Sequence, residues 1–398
     1  MTNINHENEV IVIGAGASGL GAAYEINKRG IPVRIIEKAQ RAGEAWHHRH
    51  PQLHLNTHRK LSKLPGMEIP KEAGVFPSRN CIIRYLSNYA EKLDVPIDYG
   101  VTVKTISFHN GFWSVETNCG TYTAIHIVLA TGYDSIPYIP SWPGREIFKK
   151  KLIHAAEFGE LSNYQDKKVL VVGAGNSGTD ILNHLSRIKT KNLWVSVRHG
   201  PVVFPKRLFG LPMQLLSLVL AKLPVSLVDR MLLLTEFIAF GNLKKWGLKK
   251  HPVGGATRLL KTGTAPAIDN GFIAALKTGK AVVVEQIQKF EESSVRLTNG
   301  QEIEPDIVVA ATGYRTGLES FLKLPELLNE LGIPTIHGSQ QQKSYPGLFF
   351  IGMQPRLPGN FHDAGVIGKE IASVIESEHF KSAVFLDKGL KATTKITV

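Results

Sequence analysis

The strongest pattern in the chain is a run of apolar residues, a glycine-rich turn and a helix-like stretch, and it occurs twice. The first copy, VIVIGAGASGLGAAYEINKRG, begins at Val10, and the second, VLVVGAGNSGTDILNHLSR, begins at Val169. In each copy the short apolar run predicts a buried strand, and the residues after the turn predict a helix. The chain therefore repeats one strand–turn–helix unit.

Both turns have the spacing Gly-x-Gly-x-x-Gly, which is typical of dinucleotide-binding units. The first glycine allows the tight turn, the second lets backbone N–H groups approach a pyrophosphate, and the third lets the helix pack close to the strand. The helix N-terminus then faces the anion. Two unliganded turns are the alternative, but two matches in the same context predict two dinucleotide sites. The glycines concerned are Gly14, Gly16, Gly19, Gly173, Gly175 and Gly178.

The charge at the end of the following strand differs between the two copies. Glu37 lies 18 residues after Gly19, near the spacing of a carboxylate that hydrogen-bonds adenosine ribose hydroxyls and would repel a 2′-phosphate. Arg198 lies 20 residues after Gly178, where a guanidinium can bind a 2′-phosphate. The first site therefore suits FAD or NAD and the second suits NADP, with a solvated strand-end side chain as the alternative at each position.

The repeat continues beyond the turns, because each unit is followed by a hairpin-like stretch and a strand that ends in Ala-Thr-Gly-Tyr. These strands close at Tyr133 and Tyr314, and the second hairpin contains Asn299-Gly300, a strong turn signal. This nesting predicts an α/β fold of two dinucleotide-binding Rossmann-like domains, with the NADP domain inserted into a discontinuous FAD domain. We expect the FAD domain at 1–158 and 313–398, and the NADPH domain at 159–312 with a helical insertion near 208–243.

Composition narrows the class of partner. The 398 residues include 47 Lys and Arg against 34 Asp and Glu, a formal charge of +13. The basic residues are spread along the chain without an aromatic-interleaved tract, which favours phosphorylated ligands and argues against nucleic acid. Cys81 and Cys119 form neither a disulfide framework nor a Cys-x-x-Cys pair. With a polar N-terminus that lacks a secretory signal, the sequence predicts a reducing, cytoplasmic setting and no disulfide-reductase activity.

Further segments resemble the flavin-containing monooxygenases, the FAD- and NADPH-dependent group that includes the YUCCA-type enzymes of plants. They are WHHRHPQLHLNTHRKLSKLPG after the first unit, FPSRNCIIRYLSNYA from Phe76 and the C-terminal GLFFIGMQPRLPGNFHDAGVIGKEIA. The resemblance covers nearly the whole chain. It implies an NADPH-dependent flavoprotein monooxygenase that inserts one oxygen atom from O2 into a small organic substrate through a flavin C4a-hydroperoxide.

Several alternatives remain open at this stage. One is a flavin reductase or oxidase that does not oxygenate a substrate, and another is a non-catalytic FAD-binding sensor. Nitrogen or sulfur oxidation, ketone oxygenation and oxidative decarboxylation of an arylpyruvate also stay open, and the chain alone does not identify the substrate.

The resemblance also implies particular residues. Asn56 in LHLNT is the counterpart of a catalytic asparagine near the flavin ring, with a turn residue as the alternative. A linker motif falls on Phe148, His154 and Phe158, although Lys150 occupies its glycine position. Further cofactor-binding residues are expected at Ser18, Lys38, Trp46, Thr131, Gly132, Asn176, Ser177, Thr312, Gly313, Gly352 and Asn360. A strand that ends at Gly352 and a helix that starts near Asn360 resemble the last FAD contact of the family, with a plain strand–loop–helix as the alternative.

Five clustered histidines invite a metal-binding interpretation, which we do not favour. They are His47, His48, His50, His54 and His58, and the last three recur every fourth residue. Pro51 and the alternating pattern from Leu53 to Leu55 argue against a helix, and the segment has no cysteine nearby and no acidic partner. We therefore expect no metal site.

The region 208–243 is rich in leucine and phenylalanine and has basic residues on both sides. Helices that cap the substrate cavity explain it, and peripheral membrane contact through an amphipathic face is the alternative. Its uncharged part, 208–221, is too short to span a bilayer. A homodimer is also left open.

Overall fold

A computed structural model of the chain describes the backbone of residues 5–393 and the side chains of residues 8–379. The apolar runs form strands, and each glycine turn leads directly into a helix. The first segment consists of β1 (Asn5–Ile13), α1 (Ala17–Asn27), β2 (Val33–Glu37), α2 (Glu44–His47), α3 (Arg79–Lys92), β3 (Ile97–Tyr99), β4 (Val103–His109), β5 (Phe112–Thr117) and β6 (Thr121–Leu129).

The middle segment begins with a short connection and contains most of the remaining elements. They are β7 (Ile136–Pro137), β8 (Lys151–His154), β9 (Lys168–Val172), α4 (Asn176–Leu185), β10 (Asn192–Ser196), β11 (Val203–Pro205), β12 (Arg207–Leu208), β13 (Leu211–Pro212), α5 (Ser217–Leu220), α6 (Val225–Phe240), α7 (Gly255–Thr262), β14 (Ala267–Asp269), α8 (Phe272–Lys277), β15 (Val282–Val284), β16 (Ile287–Phe290), β17 (Val295–Leu297), β18 (Glu302–Ile303) and β19 (Ile307–Ala310).

The last segment returns to the first sheet through β20 (Tyr314–Arg315), β21 (Leu348–Phe350) and α9 (Asn360–Thr393). Short 3₁₀ helices lie in the loops of all three segments, at Arg59–Leu61, Lys71–Ala73, Arg145–Ile147, Ala155–Glu157, Leu161–Tyr164, Met213–Leu216, Leu243–Trp246, Leu318–Ser320 and Pro325–Leu327.

The first sheet joins residues from both ends of the described chain. Its strand order is β3-β2-β1-β6-β5-β4, and β21 pairs with β6. β1, β2, β3, β6 and β21 run parallel, whereas β4, β5 and β6 form an antiparallel meander. Helices α1 and α9 pack together against this sheet in one buried core. The predicted discontinuous first domain is therefore confirmed.

The second sheet is parallel, with the order β15-β10-β9-β19-β8. Beside it, β16, β17 and β18 form an antiparallel sheet whose last turn contains Asn299 and Gly300, as the sequence predicts. β8 joins this second sheet by pairing with β19. The division at residue 158 stays a prediction, but the pairing of β8 puts residues 151–154 with the second sheet.

The chain passes between the two sheets twice, and the two connecting segments pair with each other. β7 follows the first Ala-Thr-Gly-Tyr segment, β20 begins with Tyr314 of the second, and the two strands are antiparallel. Both predicted Ala-Thr-Gly segments therefore lie where the chain passes from one domain to the other.

The helical insertion lies between β11 and β14 and extends beyond residue 243, because α7 also belongs to it. Its core contains Val202, Phe204, Val228, Leu232 and Ala256. Within the described residues, no helix is both long and apolar enough to cross a membrane.

Candidate active site

The first glycine turn leaves an open space in front of α1. Gly14 has a φ of +109°, and a Cβ on Gly19 would lie 1.9 Å from the Gly14 carbonyl oxygen, so both positions require glycine. A Cβ on Gly16 would meet no described atom within 4 Å. No described side chain caps α1 at Gly16, so the first N–H groups of the helix remain available. This geometry fits a pyrophosphate.

The second turn has the same geometry. Gly173 has a φ of +97°, a Cβ on Gly178 would lie 2.0 Å from the Gly173 carbonyl oxygen, and a Cβ on Gly175 would meet nothing described within 4 Å. Asn176 and Ser177 lie on the first turn of α4, the former exposed and the latter half-buried. The two turns are therefore equivalent anion-binding frames.

Glu37 lies buried at the end of β2 beside the first turn. Its Oε2 accepts a hydrogen bond from the Ala15 N–H at 2.7 Å, and its Oε1 accepts one from the Ala39 N–H at 2.9 Å. A carboxylate has further lone pairs, so it can still accept ribose hydroxyls. Lys38, beside it in sequence, is exposed.

Trp46 lies between the first turn and the start of α9. Gly43 N–H donates to the Ala15 carbonyl oxygen at 2.9 Å, which ties the start of α2 to the turn. The Trp46 ring packs against Phe361, with ring centroids 5.8 Å apart. Three parts of the chain thus meet around one cleft.

Two buried oxygens near this cleft lack partners. Among the described residues, Thr131 Oγ1 and Asp363 Oδ2 have no hydrogen-bond partner. Asn360 begins α9 as predicted and hydrogen-bonds the Tyr133 side chain. A Cβ on the neighbouring Gly132 would meet nothing described within 4 Å. Because unpaired buried oxygens are costly, they favour a ligand with hydroxyl or N–H donors, as FAD has.

Gly352 contacts the first helical unit directly. It has a φ of +72°, and a Cβ there would lie 2.2 Å from Ser18 Oγ on α1. The strand that we expected to end at Gly352 instead ends at Phe350, because the left-handed conformation of Gly352 turns the chain away from the sheet.

At the second Ala-Thr-Gly segment, the predicted cofactor residues bond within the chain. Thr312 Oγ1 donates to the Tyr138 carbonyl oxygen at 2.5 Å, and the Gly313 carbonyl accepts from Tyr138 N–H at 3.0 Å. His154 Nε2 also lies 2.9 Å from the Gly313 carbonyl oxygen, while His154 Nδ1 accepts from Ala156 N–H. A histidine at this linker position can be structural or functional, and the full burial of His154 favours a structural role.

Arg198 lies exposed just beyond the end of β10, next to the second turn. Gly173 N–H donates to the Ser196 carbonyl oxygen at 2.8 Å, which holds this strand end against the turn. Burial lowers the pKa of Arg258 on α7, and the positive charge of Arg198 lowers it further. Two guanidinium groups therefore lie close enough to each other to interact at this strand end.

One residue that the sequence analysis missed is Arg49, which connects the two Ala-Thr-Gly-Tyr segments. Its Nη2 donates to Asp134 Oδ2 at 2.7 Å, and its Nη1 donates to the Tyr314 hydroxyl at 3.1 Å. The WHHRHP segment gave no sign of these partners, which are distant in sequence.

Asn56 lines a cavity of about 340 Å³ between the two domains. This volume falls in the usual range of small-molecule sites. The walls combine an aromatic ring, amides and basic groups. They are formed by His54, Asn56, Val75, Phe76, Asp180, Asn183, His184, Arg187, Lys206, Arg207 and Asn270. Of these wall residues, Asn56 alone was predicted from the sequence to be a site residue.

Among the lysine and arginine side chains that line this cavity, Lys206 has the most strongly shifted pKa. Its Nζ lies 4.5 Å from the Phe76 ring centroid, and the Arg207 guanidinium lies 5.1 Å from the same ring. Burial lowers the pKa of Lys206 to about 8, although the Asp180 charge acts in the opposite direction. At pH 7 it is therefore mostly protonated and attracts an anion.

The histidine segment separates into several environments. His48 is exposed beside Glu44, whereas His58 is buried and caps the 3₁₀ helix after it. His50 instead approaches Asp180 of α4, with 2.8 Å between His50 Nε2 and Asp180 Oδ2. Burial lowers the pKa of the nearby His184 to about 4. As expected, no α-helix joins these histidines.

The chain has two glycine turns, with an acidic residue at the strand end beside the first turn and a basic residue beside the second. These features define an oxidoreductase that binds two dinucleotides. Residues 11–202 match the family described as pyridine nucleotide-disulphide oxidoreductase. Indole-3-pyruvate monooxygenase YUCCA1 of Oryza sativa subsp. japonica is 33% identical over 368 residues, covering 91% of this chain and 90% of that protein. The probable indole-3-pyruvate monooxygenase YUCCA4 of Arabidopsis thaliana is 32% identical and covers 91% and 89%, respectively.

Solved structures agree on the fold. The flavin-containing monooxygenase from Stenotrophomonas maltophilia superimposes with a TM-score of 0.70 at 22% identity, covering 94% of this chain and 99% of that one. The chain belongs to the flavin-containing monooxygenase family that includes the YUCCA enzymes. It is an FAD- and NADPH-dependent monooxygenase that acts on a small molecule with O2, and the reductase, oxidase and sensor alternatives are not favoured.

Proposed function

We propose that the substrate is a 2-oxo acid with an aromatic side chain, which the enzyme converts by oxidative decarboxylation. The observation that carries this proposal is the cavity wall, where Lys206 and Arg207 stand beside the Phe76 ring and Asn56. A cation and an aromatic face together suit a carboxylate attached to an aromatic group. The names of the two plant relatives, which specify indole-3-pyruvate, point to the same class.

The overall reaction balances without further reactants. The 2-oxo acid, NADPH, a proton and O2 give the carboxylic acid shortened by one carbon, CO2, NADP⁺ and water. One oxygen atom of O2 enters the acid and the other leaves as water. When bound, FAD supplies the electron transfer and the oxygenation chemistry, so the protein needs no nucleophile of its own.

The residues of the chain then have binding and positioning roles in this proposal. The Gly16 turn and α1 hold the FAD pyrophosphate, and Glu37 accepts the hydroxyls of its ribose. The Gly175 turn and α4 hold the NADPH pyrophosphate, with Arg198 on the 2′-phosphate. Asn56 offers an amide N–H and a carbonyl oxygen to the reacting groups in the cavity.

Steady-state assays with matched substrates test the substrate class. An arylpyruvate should give one equivalent of shortened acid per NADPH, whereas Lys206→Ala should raise its KM by about 10- to 100-fold through loss of a charge-assisted hydrogen bond. The corresponding aryl ketone without a carboxylate should not respond to this substitution. An equal KM for the arylpyruvate in both proteins would contradict the proposal.

We also propose that the helical insertion rests on an anionic membrane surface. The insertion exposes a broad apolar face, with Phe209 88%, Leu234 60% and Phe237 63% exposed. Further exposed members are Leu211, Leu216, Val219, Leu227, Met231 and Ile238. Such a large apolar patch marks an interaction surface.

The charges of the insertion select the kind of surface. Its two acidic residues are occupied internally: Asp229 accepts from Ala256 N–H and Glu236 accepts from Val203 N–H, both at 2.7 Å. The exposed charges in and beside it are basic, at Lys222, Arg230, Lys244 and Lys245. An apolar face with only basic charges complements an anionic bilayer.

Vesicle sedimentation tests this contact. The protein should sediment with vesicles that contain phosphatidylserine and less with neutral phosphatidylcholine vesicles, and Leu234→Asp combined with Phe237→Asp should abolish sedimentation. Phe112→Asp, which changes an exposed phenylalanine on β5, should have no effect. A face that instead proves to be the interface of a homodimer, with light scattering showing a dimer lost in the double variant, would overturn the membrane proposal.

A further inference from the structure

One histidine of the clustered segment meets an acid and a second histidine from the other domain. His50 Nε2 lies 2.8 Å from Asp180 Oδ2, and His184 Nε2 lies 3.8 Å from Asp180 Oδ1. One ligand atom from each of the three residues lies within 4.8 Å of the others. We propose that His50, Asp180 and His184 bind a divalent transition-metal ion, with Zn²⁺ the best suited, across the junction of the two domains.

The distances are close to those of a zinc site. Zn–N bonds of about 2.0–2.1 Å in tetrahedral geometry place neighbouring ligand atoms about 3.4 Å apart. The separations from Asp180 are 2.8 Å from His50 Nε2 to Oδ2 and 3.8 Å from His184 Nε2 to Oδ1, and one ligand atom from each of the three residues lies within 4.8 Å of the others. Small side-chain movements would therefore bring the three ligands around one ion.

The type and arrangement of the ligands point to the same class of ion. Two imidazoles and one carboxylate suit zinc and similar transition metals, whereas magnesium and calcium prefer oxygen ligands. Asp180 and His184 are four residues apart on α4, so they project from one face of that helix. His50 supplies the third ligand from the first domain.

Burial and access are also suitable. His50 is only 7% exposed, so its imidazole is largely shielded from water. Phe158 lies against its ring, with centroids 5.4 Å apart, and shields it from solvent. Asp180 and His184 also line the cavity, which gives the ion a route of entry and room for a water as the fourth ligand.

The position of the ion would affect the enzyme. α4 begins at the Gly175 turn, whereas His50 belongs to the FAD domain, so a bound ion would fix the two nucleotide domains relative to each other. The ion would also lie at the wall of the cavity that we propose binds the substrate. We therefore expect Zn²⁺ to inhibit turnover, and this effect, unlike the binding itself, rests on the proposed function.

Calorimetric titration of Zn²⁺ into tag-free, FAD-loaded protein tests the site. We expect one strong site per chain, weakened at least about tenfold by His184→Gln and by Asp180→Asn. His48→Gln is the matched control, because it removes an exposed histidine from the same segment without touching the cluster. The FAD content of each variant shows that it has folded.

Two results of the titration would overturn the metal site, and one spectroscopic result would do the same. One is equal Zn²⁺ affinity in wild type and His184→Gln, and the other is an equal weakening in His48→Gln. Zinc-edge X-ray absorption of the wild-type complex should show two imidazole nitrogens, and a sulfur ligand would also exclude this site. Because the titration contains no 2-oxo acid, its outcome is independent of the proposed substrate.

Discussion

At the scale of single residues, Lys206 gives the cavity a charge that depends on pH. Burial lowers its pKa to about 8, so the ammonium group is present at pH 7 and is lost as the pH rises through that value. The Asp180 charge raises this pKa, and the Arg187 and Arg207 charges lower it further.

We therefore expect the KM for an arylpyruvate to rise above about pH 8, approaching about tenfold per pH unit. Lys206→Arg keeps its charge and should flatten this profile. Steady-state kinetics from pH 7 to pH 9.5 measure both effects. The same profile in wild type and Lys206→Arg would assign the titration to another group.

We expect Arg198 to determine the choice of nicotinamide coenzyme. Arg198→Ala should weaken NADPH by about 10- to 100-fold, the value of a charge-assisted pair, and change NADH by less than about threefold. The KM values for the two coenzymes test this expectation. Equal losses for NADPH and NADH would remove Arg198 from the 2′-phosphate site.

Residues that a local motif specifies could be predicted, and those that meet only in three dimensions could not. Glu37 and Arg198 follow from their spacing to a glycine turn, and the structure places both beside their turns. Asp180 on α4 and Lys206 between β11 and β12 are far from Asn56 in sequence. Only the folded chain brings them to one cavity.

At the scale of elements, the two roles of glycine in the second turn can be separated. A Cβ on Gly178 would lie 2.0 Å from a backbone oxygen, whereas a Cβ on Gly175 would meet nothing described within 4 Å. Gly178→Ala should therefore destabilise the protein by about 1–3 kcal/mol or more. Gly175→Ala should change stability by less than about 0.5 kcal/mol but raise the KM for NADPH, because the methyl group faces the pyrophosphate.

Thermal unfolding and NADPH kinetics of the two variants provide the measurement. The FAD content of Gly175→Ala should stay at the wild-type level, because that turn belongs to the second site. If Gly175→Ala lost FAD and kept NADPH affinity, the assignment of the two turns would be reversed.

The helices and strands also show which boundaries can be predicted from periodicity and turn signals. The hairpin at Asn299 and the start of α9 at Asn360 were predicted correctly, because a turn or a loop–helix junction is encoded locally. β21 ends earlier than expected, and the insertion extends to α7. Both differences depend on packing between distant segments, which local patterns do not contain.

At the scale of the whole molecule, the repeated pattern in the sequence was sufficient to predict the nested arrangement. Two similar units with a shared closing motif leave few topologies, and the first sheet indeed recovers β21 from the end of the chain. The junction between the domains was not predictable, because the contacts of His50 with α4 and of Arg49 with Tyr314 join residues far apart in sequence.

We propose that this chain transfers one oxygen atom from O2 to an aromatic 2-oxo acid and oxidises one NADPH in doing so. Turnover of an arylpyruvate under ¹⁸O2 with catalase present, followed by mass spectrometry, tests it most directly, because catalase removes the peroxide that would otherwise decarboxylate the 2-oxo acid without the enzyme. We expect one ¹⁸O atom in each molecule of shortened acid and one acid per NADPH consumed. NADPH consumption that yields hydrogen peroxide and unlabelled 2-oxo acid would contradict it.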